Sequence, residues 1–257
     1  MQLNNKLSSN LSCWFYCSTV AQLTPVKEII MTQYIIQKAL PIEQSVPTNN
    51  ADSDEKIDSF SLNWDAIDAL EINDYPWYKT GRKQNTQVKL SANSETLFMQ
   101  IIAQDHYSFA KQTELNHMLI CEDSCVEFFF SPSGVLGSSY VNLEVNCCGT
   151  LHLAYGVGRE NRQYISLAAA NLIQCKSSIS SPAKIESEDD KTWCIEIALP
   201  FKVIEQLTGK SVNKDKWFAN FYRCGGRTEP QYAVWNHIEV SEPDYHRPEY
   251  FGELVFT

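Results

Sequence analysis

Three carboxylates, Glu127, Glu144 and Glu196, each stand in the middle of a short alternating run, on the face opposite its apolar stripe. Carboxylates on neighbouring strands can meet across one sheet face. Two of them about 5–10 Å apart could share the acid and base work of glycoside hydrolysis. The same groups could instead hold a ligand or lie on a solvated face, and spacing alone leaves all three open. A second constellation is Trp235, in Ala233-Val234-Trp235-Asn236-His237, just after Pro230. A tryptophan in a loop beside Asn and His suits sugar recognition. The ring stacks on the C–H face of a pyranose, for about 1–3 kcal/mol per ring, and the polar neighbours bond its hydroxyls. Pro76-Trp77-Tyr78 is either a loop offering a flat ring or a packed hinge, and Trp64 reads as a core anchor.

Other chemistries fit the residues poorly. The histidines, His106, His117, His152, His237 and His246, form neither an i, i+4 pair nor an alternating pair of metal ligands. The nine cysteines contain no Cys-x-x-Cys, and their odd number and irregular spacing do not resemble a disulfide framework. They read as reduced thiols, several of them buried, in a cytoplasm-like compartment, with an extracytoplasmic site as the alternative. Gly156-Val157-Gly158 opens like a dinucleotide fingerprint, but the third glycine and the following helix are missing. No Gly-x-Ser-x-Gly elbow occurs.

The elements that would position these groups are short. Tyr34-Ile35-Ile36 begins a globular pattern, and strands are expected over Thr86–Ala92, Thr96–Gln104, Cys125–Phe130, Tyr140–Asn146, Thr150–Tyr155, Thr192–Leu199, Trp217–Arg223 and Phe251–Phe256. In the fourth of these, Val141, Leu143 and Val145 point in, while Asn142, Glu144 and Asn146 point out. Pro200, the apolar residues Phe201, Val203, Ile204 and Leu207, and then Gly209 predict one short helix with a glycine stop. The fold class is therefore all-β: a two-sheet β-sandwich or jelly roll of immunoglobulin-like type with one short helix.

The 257 residues carry a net charge of −10, with 44% hydrophobic and 12% aromatic residues. That balance provides a core and argues against nucleic-acid binding, which rests on clustered cations. No run reaches the roughly 18 apolar residues of a membrane span. Residues 1–30 read as a disordered extension, with Met31 as a candidate start. Residues 31–59 read as a leader strand and linker rich in Pro, Asn, Ser and Asp, and residues 60–257 as the folded domain.

Several stretches resemble carbohydrate-binding module family 9: Glu122-Asp123-Ser124-Cys125-Val126-Glu127-Phe128-Phe129-Phe130, Tyr140–Asn146 followed by Gly149, and Trp193–Pro200. So do Asn220-Phe221-Tyr222-Arg223, Trp235 and His246–Leu254. The resemblance, over about residues 60–257, implies a non-catalytic β-sandwich that binds mono- or oligosaccharides and serves carbohydrate catabolism beside glycoside hydrolases. In some members it implies a structural calcium. Two tryptophans, a carboxylate and an arginine hold the sugar in such modules. By position, the carboxylate falls on Glu127 and one tryptophan on Trp235; the second tryptophan falls on Cys121 and the arginine on Glu144. The expected carbohydrate site is thus centred on Glu127 and Trp235, with Asn142, Glu144, Asn146 and Arg223 as polar partners. Trp77, Tyr107, Arg223 or Tyr245 could rebuild the site. A glycoside-processing enzyme using paired carboxylates, and a sugar-binding fold turned to protein interaction, are the alternatives.

Overall fold

The computed structural model of the protein describes residues 31–39 and 62–257; the expected extension over 1–30 and most of the expected linker lie outside them. Among the described residues thirteen strands are present: β1 (Gln33–Lys38), β2 (Leu70–Glu71), β3 (Thr86–Ala92), β4 (Thr96–Asp105), β5 (Ser124–Ser131), β6 (Tyr140–Asn146), β7 (Leu151–Gly156), β8 (Gln163–Tyr164), β9 (Gln174–Ser177), β10 (Lys191–Pro200), β11 (Lys216–Gly225), β12 (Gln231–Val234) and β13 (Gly252–Phe256). One sheet runs β8-β7-β6-β5-β11-β13, with β12 added along the second half of β11. The other runs β3-β4-β10-β9, with β2 against β3. β1 joins them: Gln33–Ile36 run parallel to β13, and Gln37 and Lys38 then run parallel to β3. The sheet therefore curls continuously into a sandwich, and β1 is part of it.

Alternation fixes the interior. Val126, Phe128 and Phe130 of β5, Val141, Leu143 and Val145 of β6, and Ile195, Ile197 and Leu199 of β10 fill one apolar core. Phe128 stacks on Phe221 at 4.5 Å, and Phe130 on Trp217 at 5.0 Å. Such ring pairs across adjacent strands each add about 0.2–1 kcal/mol and pin the register.

The helix expected after Pro200 is present as Phe201–Thr208, and Gly209 ends it at φ +68°. It is not the first helix in the chain. A single turn, α1 (Leu167–Ala170), precedes it, capped by the Ser166 side chain, so the short helix above is α2. One turn of Leu and Ala is too short to show a helical period. The strands β2, β8, β9 and β12, two to four residues each, escaped for the same reason.

A second correction concerns the outer face of β5 and β6. It was a candidate solvated face, yet every residue of both strands is buried. Residues of the stretch 235–251 pack over it, and Cys121 and Glu122 stand beside it. Phe129, Tyr140, Phe218, Tyr222, Val234, Ile238 and Phe251 form a second apolar cluster there, with Trp77 and Tyr245 packed against it. Between these segments one opening remains.

Candidate functional site

The opening is a cleft of about 440 Å³. That is within the usual range for small-molecule sites, about 300–1,000 Å³. β5 and β6 supply its base. Their antiparallel register sets Glu127 directly opposite Glu144, with Phe129 opposite Asn142 and Cys125 opposite Asn146. On the other side of Glu127, β11 places Tyr222 opposite it and Cys224 two residues on. The Cys224 thiol donates to Glu127 Oε1 at 3.2 Å, and the Asn142 amide donates to Glu144 Oε1 at 2.8 Å. Arg162 Nε in turn donates to Asn142 Oδ1 at 2.9 Å, and its guanidinium lies over the Tyr140 ring. Asn142 therefore orients Glu144 and is itself held by Arg162.

Glu127 is 2% exposed and Glu144 7%. Burial pushes the carboxyl of Glu144 up to about 7, against the opposing effects of Asn142, Arg162 and Arg159. Burial, and then the charge of Glu144, holds Glu127 well above the usual carboxylate range. Two like groups so placed do not both ionise freely. Near neutral pH the pair holds a proton, giving one hydroxyl donor beside carboxylate acceptors.

The walls carry rings and charges. Tyr245 stacks on Tyr222 at 4.1 Å, nearly parallel, and Trp77 buttresses it at 6.0 Å while donating from Nε1 to Val240 O. Tyr232 lines the same cleft, as do Cys121 and Pro230. Tyr232 and Gln231 both take left-handed backbone, at φ +46° and +60°, where β12 pairs irregularly with β11 between Arg223 and Cys224. Non-glycine residues adopt this conformation at a cost of roughly 1–3 kcal/mol each, and such residues gather at ligand sites. The Gln231 side chain fixes the bend, accepting from Gln84 N and donating to Arg82 O. Arg159, held by Asp244 at 2.8 Å, lines the cleft, and Arg227 stands 4.0 Å from Glu122 at the mouth. His246 meets the Tyr140 hydroxyl through Nδ1 at 2.6 Å. Burial and the two nearby arginines push its imidazole down to about 3, so it is neutral.

Of the six expected site residues, Glu127 and Glu144 meet in the cleft and Asn142 supports them. The other three do not reach it. Trp235 is 9% exposed and belongs to the core, edge-on to Phe221 at 5.9 Å and seated over Gly252. A Cβ on Gly252 would lie 2.8 Å from the indole, so only glycine admits the ring there. Arg223 points between the sheets, because alternation along β11 sends it opposite to Cys224. It pairs with Asp105 at 3.1 Å and lies over Trp193. Asn146 is saturated: its amide donates to Asp123 and Gln112 O, and its oxygen accepts from Cys148 N and Thr150 N. Glu196 lies in the other sheet, bonded to Gln100. Tyr107 sits against His106, away from the cleft.

Tyr232, Arg159, Arg227 and Arg162 were missed. A strained turn and a side chain reaching over from a loop leave no periodic trace. Only the bulge-prone Glu229-Pro230 before Tyr232 hinted at it. As for calcium, among the described residues no group of three or more His, Cys, Asp or Glu side chains is placed to hold a metal ion. Asp123, next to the cleft residue Glu122, is filled by Lys111 N, Gln112 N and the Asn146 amide.

A curled β-sandwich with an aromatic-walled, carboxylate-based cleft on its outer face defines a ligand-binding module. The chain belongs to carbohydrate-binding family 9, whose sequence profile matches residues 51–256. It is similar in structure to a provisionally assigned carbohydrate-binding protein from Bacteroides uniformis ATCC 8492, at 23% identity over 88% of this chain and 100% of that one, with a TM-score of 0.73. It is also similar to a family 9 module from Caldicellulosiruptor kristjanssonii solved with glucose: 12% identity, 88% and 96% coverage, TM-score 0.50. A family 9 module from Caldicellulosiruptor kristjanssonii solved with cellotriose gives 10%, 88%, 93% and 0.50. No curated protein matches the chain.

Proposed function

We propose that the cleft binds a terminal sugar unit and that the chain is a non-catalytic carbohydrate-binding module serving carbohydrate catabolism. The carrying observation is the pairing of Tyr232 and Tyr245 with the opposed carboxyls of Glu127 and Glu144 in one cleft. Rings stack on the C–H face of a pyranose, and carboxyls accept its paired hydroxyls. Family membership and the sugars bound by the Caldicellulosiruptor modules support this reading. Tyr232 and Tyr245 take the part that the resemblance gave to two tryptophans, and Arg159 the part of the arginine. A glycan array identifies the sugar, and calorimetry then measures it. Tyr232→Ala is expected to weaken binding at least about tenfold, roughly one stacked ring. Unchanged affinity in that variant, or a blank array beside a copurifying protein, counts against the proposal.

The opposed carboxyls invite a catalytic reading, but they stand side by side on one wall. Glycosidase carboxyls flank the bond they cleave. Aryl glycosides are expected to pass through unhydrolysed, and turnover abolished by Glu127→Gln would reverse that.

A further inference from the structure

We infer that the cleft selects a sugar bearing a free amino group, held as its ammonium ion between Glu127 and Glu144. This rests on the sugar-binding reading above. Directly opposed residues on antiparallel strands bring their Cβ atoms to about 4.5–5.5 Å, where like charges repel. Both side chains are more than nine-tenths buried and line the cavity. One oxygen of each is bonded, and only by a neutral donor, the Cys224 thiol or the Asn142 amide. Among the described residues, no hydrogen bond or ion pair engages the second oxygen of either.

The cations nearby are committed elsewhere. Arg162 stops at Asn142, Tyr140 O and Gly158 O. Arg159 is held by Asp244, and Arg227 stands opposite Glu122 at the mouth. His152, opposite Glu144 on β7, has its basicity lowered by burial, and His246 is bonded to Tyr140. Negative charge is thus concentrated at the base, while the rim charges are paired. With a neutral sugar the pair must keep its proton, whereas a bound cation can take that proton's place. An ammonium group offers three N–H donors and the missing positive charge, which a buried carboxylate pair rewards strongly. The rings of Tyr232 and Tyr245 at the same opening add the attraction of an aromatic face for a cation.

The test is calorimetry near neutral pH with three probes: glucosamine, glucose and N-acetylglucosamine, each also as a short β-linked oligomer. The amine is expected to bind at least about tenfold tighter than the other two. Glu127→Gln and Glu144→Gln are each expected to bring the amine down to the affinity of glucose. Equal or tighter binding of glucose or N-acetylglucosamine by the wild-type protein overturns the inference while the sugar-binding reading stands. A preference for the amine that survives both glutamine variants, shown folded by thermal melting, also overturns it. Failure of every probe, with a blank array, removes the sugar-binding reading and this inference with it.

Discussion

Two buried pairs of charged groups lie on opposite faces of the same sheet, and they are built differently. On the inner face Arg223 meets Asp105 at 3.1 Å, both fully buried; the Trp193 indole donates to the same carboxylate, and its ring lies under the guanidinium. On the outer face Glu127 opposes Glu144, with neutral partners and an open cavity beyond them. The charges of the first pair answer each other within the chain and tie the two sheets together, although Asp105 Oδ1 and Arg223 Nε carry no hydrogen bond. The second is incomplete, so its favourable state depends on a proton or a ligand. Burial alone does not separate structural from functional polar groups. What separates them is whether the charge is already answered.

The comparison can be broken from either side. Arg223→Ala leaves Asp105 buried and uncompensated, and is expected to destabilise by about 3–5 kcal/mol. Urea or thermal unfolding measures this; a loss of affinity without a loss of stability would return Arg223 to the site. Trp235→Ala is expected to cost a similar 3–5 kcal/mol, as a large buried ring removed from a packed core does. Sugar affinity should stay near wild type in the fraction that remains folded. A tenfold affinity loss at full stability would place Trp235 in the cleft after all.

The outer pair gives a smaller effect that depends on pH. A carboxyl raised to about 7 in the folded state binds its proton more tightly than the unfolded chain does. Its stabilisation is therefore fully present below the ordinary carboxylate pKa of about 4.5 and is lost as pH rises through 7. His246, held neutral, acts in the opposite sense between about 3 and 6.5. The clean measurement is thus the difference between Glu144→Gln and wild type. The variant is expected to match the parent near pH 4.5 and to exceed it increasingly as pH rises through 7. A gap that does not change with pH would show that the pair is compensated by a cation.

Much of the scaffold was legible. Alternation in Tyr140–Asn146 assigned the inward and outward faces correctly, because a period of two follows from strand geometry whatever the neighbours are. The Pro200-to-Gly209 helix was legible for a similar local reason, its apolar spacing and its glycine stop. The meeting of Glu127 and Glu144 was only half legible. Each was visible as a mid-strand carboxylate, but their pairing needed the order of β5 and β6 and a register without slip. The roles of Trp235 and Arg223 were misread because a tryptophan beside Asn and His, or an arginine in a strand, looks alike whether it faces a cleft or a core. Tyr232 was invisible, since its position comes from two left-handed residues fixed by the Gln231 side chain, which accepts from Gln84 N and donates to Arg82 O.

Sequence by itself determined the all-β class, the strands that form the walls, the acidic character and the resemblance to carbohydrate-binding family 9. The first three depend on composition or on spacing within one short segment, and the resemblance on the order of several such segments along the chain. Tertiary structure decided that the outer face is roofed, that β1 closes the curl, and that Arg159, Tyr232 and Tyr245 surround the carboxyls. Those features join residues far apart in the chain: Cys121 and Tyr245 line one cleft, and Gln33 of β1 pairs with Glu253 of β13. Local periodicity carries no record of which loop folds over which strand; the packing of the second apolar cluster settles that, and the cleft is the space it leaves.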